Sequence, residues 1–150
     1  VAALKAWRLV HSRWAKTALS GEGAALYPGR WNKTGERMVY LGSSLALAAL
    51  ETLVHLEVDA SEEPFTAIEL FLPDNLVTKR EHLKRTWKND LAYTRNLGSL
   101  WLKNAESLAL VVPSAVIGIE TNLLLNPEHP AISELKEVQR ISFEWDTRLF

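Results

Sequence analysis

The sequence predicts an α+β or mixed α/β domain on three observations. Short β-prone runs recur along the chain, two segments of helical spacing lie between them, and neither a linker nor an internal repeat divides the whole. With 150 residues there is room for one hydrophobic core and little for a second, so residues 1–150 are expected to form a single domain.

The elements follow in order. Leu4 to Val10 is a short apolar run interrupted by Lys5 and Arg8, and reads as a strand. Ser20 to Gly29 carries Gly21, Gly23, Pro28 and Gly29 and reads as a loop, with Asn32 to Gly35 as a turn. Met38 to Leu41 is a short buried strand. Ser44 offers an N-cap to a Leu- and Ala-rich helix over Leu45 to Leu56. At 100° per residue, Leu45, Leu47, Leu50, Leu53, Val54 and Leu56 fill one broad apolar arc, with Glu51 at its edge and His55 a turn beyond on the same side. The remaining sector holds Ala48 and Thr52, so Glu51 is a lone carboxylate among small residues. Phe65 to Leu72 alternates and stops at Pro73, a strand. Leu91 to Ala105 has helical spacing through Leu91, Thr94, Leu97, Leu100 and Trp101, with a weak point at Gly98. Ser107 to Val112 is strongly β-prone and ends at Pro113; Val138 to Phe143 is the last strand.

Composition excludes several classes of function. Apolar residues make up 47%, ordinary for a globular chain, and there is no cysteine, so disulfides and thiolate metal sites are ruled out. A net charge of -1 and a pI near 6.5 give no global attraction to nucleic acid or membrane. No apolar run approaches the roughly 20 residues that cross a bilayer. No secretory pattern opens the chain, and a cytoplasmic protein is expected. Met38 is the sole methionine and Val1 comes first, so the natural start is expected to lie upstream.

No phosphate-binding P-loop, dinucleotide Gly motif or Gly-x-Ser-x-Gly elbow is present, and His11, His55, His82 and His129 form no metal-ligand pair, so no metal is expected. Three polar positions stand out instead. Arg30 follows Pro28-Gly29, Glu51 sits in the apolar helix, and Ser114 follows Val111-Val112-Pro113 at the mouth of a buried strand. Each also reads blandly: Arg30 as a turn arginine in a surface salt bridge, Glu51 as a helix-edge residue, Ser114 as the cap of the next turn.

With their neighbours these positions resemble the RES-domain proteins, named for an arginine, a glutamate and a serine. Trp7-Arg8 is similar to the family's opening strand. Gly29-Arg30-Trp31-Asn32, Gly35 and Val39-Tyr40-Leu41 resemble its second block; Ala49-Leu50-Glu51 with Val54-His55-Leu56 resembles its glutamate helix. Pro113-Ser114-Ala115, Thr121-Asn122, and Asn126-Pro127 with His129-Pro130 resemble its serine block, and Asp146 to Phe150 its ending. The blocks run in order from about residue 7 to 150, with Pro28 where a Gly is common.

The resemblance implies a split mixed β-sheet core with flanking helices, similar to the ADP-ribosyltransferase fold, with NAD⁺ in a central cleft. It implies a toxin of a type II toxin–antitoxin pair that stops growth by depleting NAD⁺ through hydrolysis or phosphorolysis, NAD⁺ being substrate and no other cofactor needed. One branch of the family instead ADP-ribosylates a protein. The implied partner is an antitoxin with a helical DNA-binding domain; self-pairing is a further expectation. The chemistry is coherent, because a cationic nicotinamide departs neutral and needs no acid, leaving one carboxylate to steady an oxocarbenium-like transition state. On this resemblance Glu51 takes that role, and Arg30, Glu51 and Ser114 form the catalytic set. Arg8 and Arg30 would grip diphosphate or ribose. Tyr40 would stack on nicotinamide or order the substrate. Ser114 and Asn122 would hydrogen-bond around the nicotinamide ribose.

Other conspicuous residues have open readings. Trp7 reads as core or cleft wall, and Trp31 is undecided beside Arg30. His55 either orients Glu51 or is structural. Asn126-Pro127 and His129-Pro130 read as turns. Lys79 to Lys88 holds Lys79, Arg80, Lys84, Arg85 and Lys88 around Trp87, which reads as a nucleic-acid patch, a solvated face or an antitoxin contact. The solvated face is preferred, because Glu81 interrupts the run and the acidic remainder cancels its charge.

Overall fold

The structure, a computed structural model, describes residues 2–56 and 62–150. Val1, on which the expected upstream start rests, lies outside them. The longest ladder joins β1 (Ala3–His11) to β3 (Phe65–Pro73), antiparallel from Ala3↔Pro73 to His11↔Phe65. Around it assemble β2 (Val39–Gly42), β4 (Val77–Lys79), β5 (Ala109–Pro113), β6 (Thr121–Leu125) and β7 (Lys136–Phe143), in the spatial order β4-β5-β6-β2-β1-β3-β7. β4 and β5 run parallel and every other pair is antiparallel, so the sheet is mixed, as expected. It is also split: β1 and β2 register only at Trp7↔Gly42.

Because side chains alternate along a strand, the registers sort the core into two faces. Trp7, Gly42 and Asn122 lie opposite one another, and Tyr40, Leu124 and Leu110 continue the same face. Here α2 (Leu45–Leu53) packs with Leu9, Phe65 and Trp145, while α3 (Leu91–Asn104) packs with Trp31, Leu110 and Leu124. The opposite face carries Ala6, Val10, Leu41, Ile68 and Leu123, covered by Ala15 and Ile132 from the short 3-10 turns Ser12–Thr17 and Pro130–Glu134. A polar seam remains on the first face, between the α2 and α3 clusters.

Local chemistry accounts for most boundaries. Ser44 caps α2, accepting from the Leu47 amide at 3.1 Å. Asp90 caps α3, accepting from the Tyr93 amide at 3.0 Å. α2 stops at Leu53, not Leu56: His55 and Leu56 donate to carbonyls only three residues back, and β-branched Thr52 and Val54 weaken the helix there. The expected apolar arc is also rotated. Leu47 and Ala48 face the sheet, while Leu50 and Val54 are 36% and 57% exposed. Glu51, three and four residues after Ala48 and Leu47, therefore projects from the sheet-facing side.

Three further corrections apply. The expected loop Ser20 to Gly29 contains a short helix, α1 (Glu22–Leu26), entered through Gly21 at φ +77°. β4 and β6 were not foreseen as strands. The last strand begins at Lys136 instead of Val138.

Candidate active site

The seam is built around Glu51. Gly42 lets α2 approach the sheet: a Cβ there would lie 2.8 Å from the Ala48 amide nitrogen. One turn further along, the Glu51 carboxylate hangs over β6. Its Oε1 accepts from Asn122 Nδ2 at 2.9 Å and from Ser114 Oγ at 2.6 Å. Three of the sequence-derived residues, from a helix, a strand and a turn, thus meet at one oxygen. No described residue donates to Oε2.

Ser114 is 0% exposed and uses its full hydrogen-bonding capacity. It donates to Glu51 and accepts from the Val116 and Ile117 amides at 3.1 and 3.0 Å. The same hydroxyl caps the turn, one of the readings expected of it, and also contacts the carboxylate. Asn122 keeps its amide orientation through Glu51, but its buried Oδ1 has no partner among the described residues. An orphaned acceptor beside a half-open carboxylate has the character of a ligand site, since such groups are otherwise hydrogen-bonded.

Tyr40 lies on the same face, diagonal to Asn122 across the β2–β6 ladder. Its hydroxyl serves the loop preceding β2. It accepts from the Trp31 amide at 3.0 Å and donates to Asn32 Oδ1 at 2.7 Å. Burial raises its pKa above the ordinary tyrosine value, so it stays a neutral donor.

Arg30 sits further out on that loop. It donates to the Lys88 carbonyl at 2.8 Å, and its guanidinium lies over the Trp87 ring, 5.6 Å from the centroid. It makes no hydrogen bond to Glu51. Arg8 fills the split between β1 and β2, where Nε donates to the Ala18 carbonyl at 3.3 Å and Nη1 to the Tyr40 carbonyl at 3.4 Å. Burial lowers its pKa to about 10, which leaves it charged near neutrality. It alternates with Trp7, so its side chain starts from the face of Ala6 and Val10, outside the Glu51 cluster.

Three residues not assigned from sequence hold the Arg30 loop. Asn32, 0% exposed, accepts from the Gly29 amide at 2.9 Å and donates to the Ala24, Lys33 and Glu36 carbonyls. Thr94 donates to the Arg30 carbonyl at 2.6 Å, and Arg95 to the Gly29 and Pro28 carbonyls at 2.9 and 3.1 Å. The signal available was Asn32 itself, inside the Gly29–Asn32 block.

The open residues now resolve. Trp31 is buried against α3, and Trp7 packs half-buried against the α2 cluster. His55 is exposed and makes no hydrogen bond to Glu51. His129 is a turn cap, accepting from the Ala131 amide at 3.0 Å. Among the described residues, no group of His, Asp and Glu could hold a metal, and no helix is long and apolar enough to cross a membrane.

Comparison with known proteins matches residues 5–146 to the RES domain. A protein named Toxin Res from Yersinia enterocolitica is 37% identical over 148 residues, covering 95% of this chain and 97% of that protein. The Prs ADP-ribosylating toxin of a Sphingobium species is 36% identical over 138 residues, covering 87% and 86%. Among solved structures, the Mycobacterium tuberculosis MbcT–MbcA toxin–antitoxin complex contains a chain of similar fold. The TM-score is 0.78 at 17% identity, over 95% of this chain and 85% of that one.

Proposed function

The chain belongs to the RES-domain toxin family, and from that membership we propose that it is the toxin of a toxin–antitoxin pair and cleaves the nicotinamide–ribose bond of NAD⁺. The observation that carries the reading is the Glu51 carboxylate, fixed through Oε1 by Ser114 and Asn122 while Oε2 stays open. Breaking the bond sends its electron pair to nicotinamide, which leaves neutral, and charge builds on the ribose carbon. A positioned carboxylate in a partly dry site stabilises that charge without reorganising. Oε2 and the orphaned Asn122 Oδ1 are acceptors for the two ribose hydroxyls. Arg30 is the cation for the diphosphate. Tyr40 and Arg8 act as positioning residues, the first through the Trp31–Asn32 loop and the second through the β1–β2 split.

An acceptor O–H then adds to the ribose carbon and its proton goes to solvent. With water the product is ADP-ribose; with phosphate it is a phosphorylated ADP-ribose. Transfer to a protein is the second reading, favoured by the ADP-ribosylating relative at 36% identity. The substrate implies action in the cytoplasm, and the antitoxin partner is proposed from the family.

Chromatography of NAD⁺ after incubation with purified protein tests this, with and without phosphate. Nicotinamide release is expected. Intact NAD⁺ in both buffers, with no labelled protein when a cell extract is added, would remove the proposal.

Ser114→Ala takes away one donor to Glu51 and uncaps two amides. It is expected to cost about 1–3 kcal/mol of stability in urea denaturation. A loss of kcat of about tenfold should accompany it, the carboxylate being held less firmly. Unchanged stability would mean that the turn at Val116 does not need the hydroxyl.

A further inference from the structure

A cavity of about 490 Å³ opens at the end of the sheet where β4, β5 and β6 meet, and none of the roles above uses it. Its apolar wall is Val112, Pro113 and the Trp87 ring; cations at its edge include Arg80, Lys84 and Arg85. Lys84 is paired with Asp90. Among the described residues no carboxylate lies within ion-pair distance of Arg80 or Arg85, and Glu81 is the single acid lining the space. Two guanidinium groups beside an apolar wall and an indole suit a ligand with a flat base at one end and phosphate at the other.

The cavity adjoins the Glu51 cluster along β5 and β6. Val112 in its wall is the register partner of Asn122, and Pro113 is the residue before Ser114, so the cavity lies beside the two residues that hold the carboxylate. Arg30 stands at the Trp87 side of the cavity, bound to the Lys88 carbonyl and placed over the Trp87 ring. An inorganic phosphate would need only a small polar cup, whereas this volume falls in the roughly 300–1,000 Å³ range of pockets for whole small molecules.

We infer that this cavity takes the adenylate half of the dinucleotide, with Arg80 and Arg85 on its phosphate side and Trp87 against its base. The assignment rests on the NAD⁺ reading of the Glu51 site. It gives the basic run a ligand-binding use in place of the solvated face expected from sequence.

The test is the double variant Arg80→Glu with Arg85→Glu, both exposed positions where folding is retained, as circular dichroism verifies. Groups that bind ground and transition states alike change KM and leave kcat. The variant should raise KM for NAD⁺ about tenfold or more with little change in kcat, and weaken binding of free ADP by a similar factor in calorimetry. KM and ADP affinity both unchanged would overturn the inference while leaving the NAD⁺ reading intact. If the unaltered chain neither cleaves nor transfers NAD⁺, that reading fails, and ADP affinity alone then decides: loss in the variant keeps a nucleotide site, equality removes it. Salt-steep binding of an RNA oligonucleotide, abolished in a variant whose KM is normal, would also overturn it and assign the surface to nucleic acid.

Discussion

Glu51→Gln is expected to leave the protein folded and to lower NAD⁺ cleavage by about 10²- to 10³-fold or more, the usual loss when one charge-stabilising group is removed. The substitution is informative because of how Glu51 is held. Ser114 and Asn122 both donate to Oε1, and a glutamine Oε1 accepts both bonds equally well. Packing of α2 on β1 and β2 is therefore retained, and the melting temperature should move by no more than a few degrees. What disappears is the negative charge at Oε2, facing the site. A purely structural Glu51 predicts the opposite pattern, normal turnover in the glutamine variant. That result from a folded protein would also shift the site assignment away from the Ser114 cluster. In a transferase the same variant would lose labelling of the target protein, so the prediction holds whichever acceptor is used.

Local signals made much of the fold legible. The Ser44 cap, the stop at Pro73 and the β-prone Ser107–Val112 run each depend on near neighbours in sequence; the first two are where they were expected, and the third forms β5 with its start moved to Ala109. The failures are positions where distant packing decides. Thr121–Leu125 is a central strand because β5 and β2 flank it, while its own pattern shows no alternation. The face of α2 was misjudged because counting leucines assumes that large side chains point inward. Here the close approach at Gly42 selects Ala48, and Leu50 turns outward. The candidate site shows the same division. Glu51, Ser114 and Asn122 were nameable from motif blocks, and the structure places them within hydrogen-bond distance. The hold of Thr94 and Arg95 on the Arg30 loop spans more than sixty residues and leaves no mark in either segment alone.

The second large effect is at Gly98. On helix propensity alone, Gly98→Ala in the middle of α3 should stabilise the protein by about 1 kcal/mol. The structure reverses the sign. A Cβ at Gly98 would overlap the Trp31 carbonyl oxygen and lie 2.7 Å from its carbon. Neither atom is the flexible end of a side chain. Relief requires α3 to move off the Arg30 loop or the loop to move off the sheet, and both are tied down by Thr94 on the Arg30 carbonyl and Tyr40 on the Trp31 amide. Overpacking against backbone should outweigh the propensity gain, for a net loss of about 3 kcal/mol. That corresponds to a fall in melting temperature of roughly 6–12 °C for a chain of this size. Gly23→Ala is the control: a Cβ there meets nothing within 4 Å, and stability should hold or rise slightly. If the two alanine variants melt together, α3 does not seat against the loop as described. If Gly98→Ala alone is destabilised, its residual activity should show a raised KM, because displacing the Trp31 carbonyl also displaces Arg30, the cation proposed for the diphosphate. The glycine that looked like a weak point in a helix is then the contact that fixes the arginine.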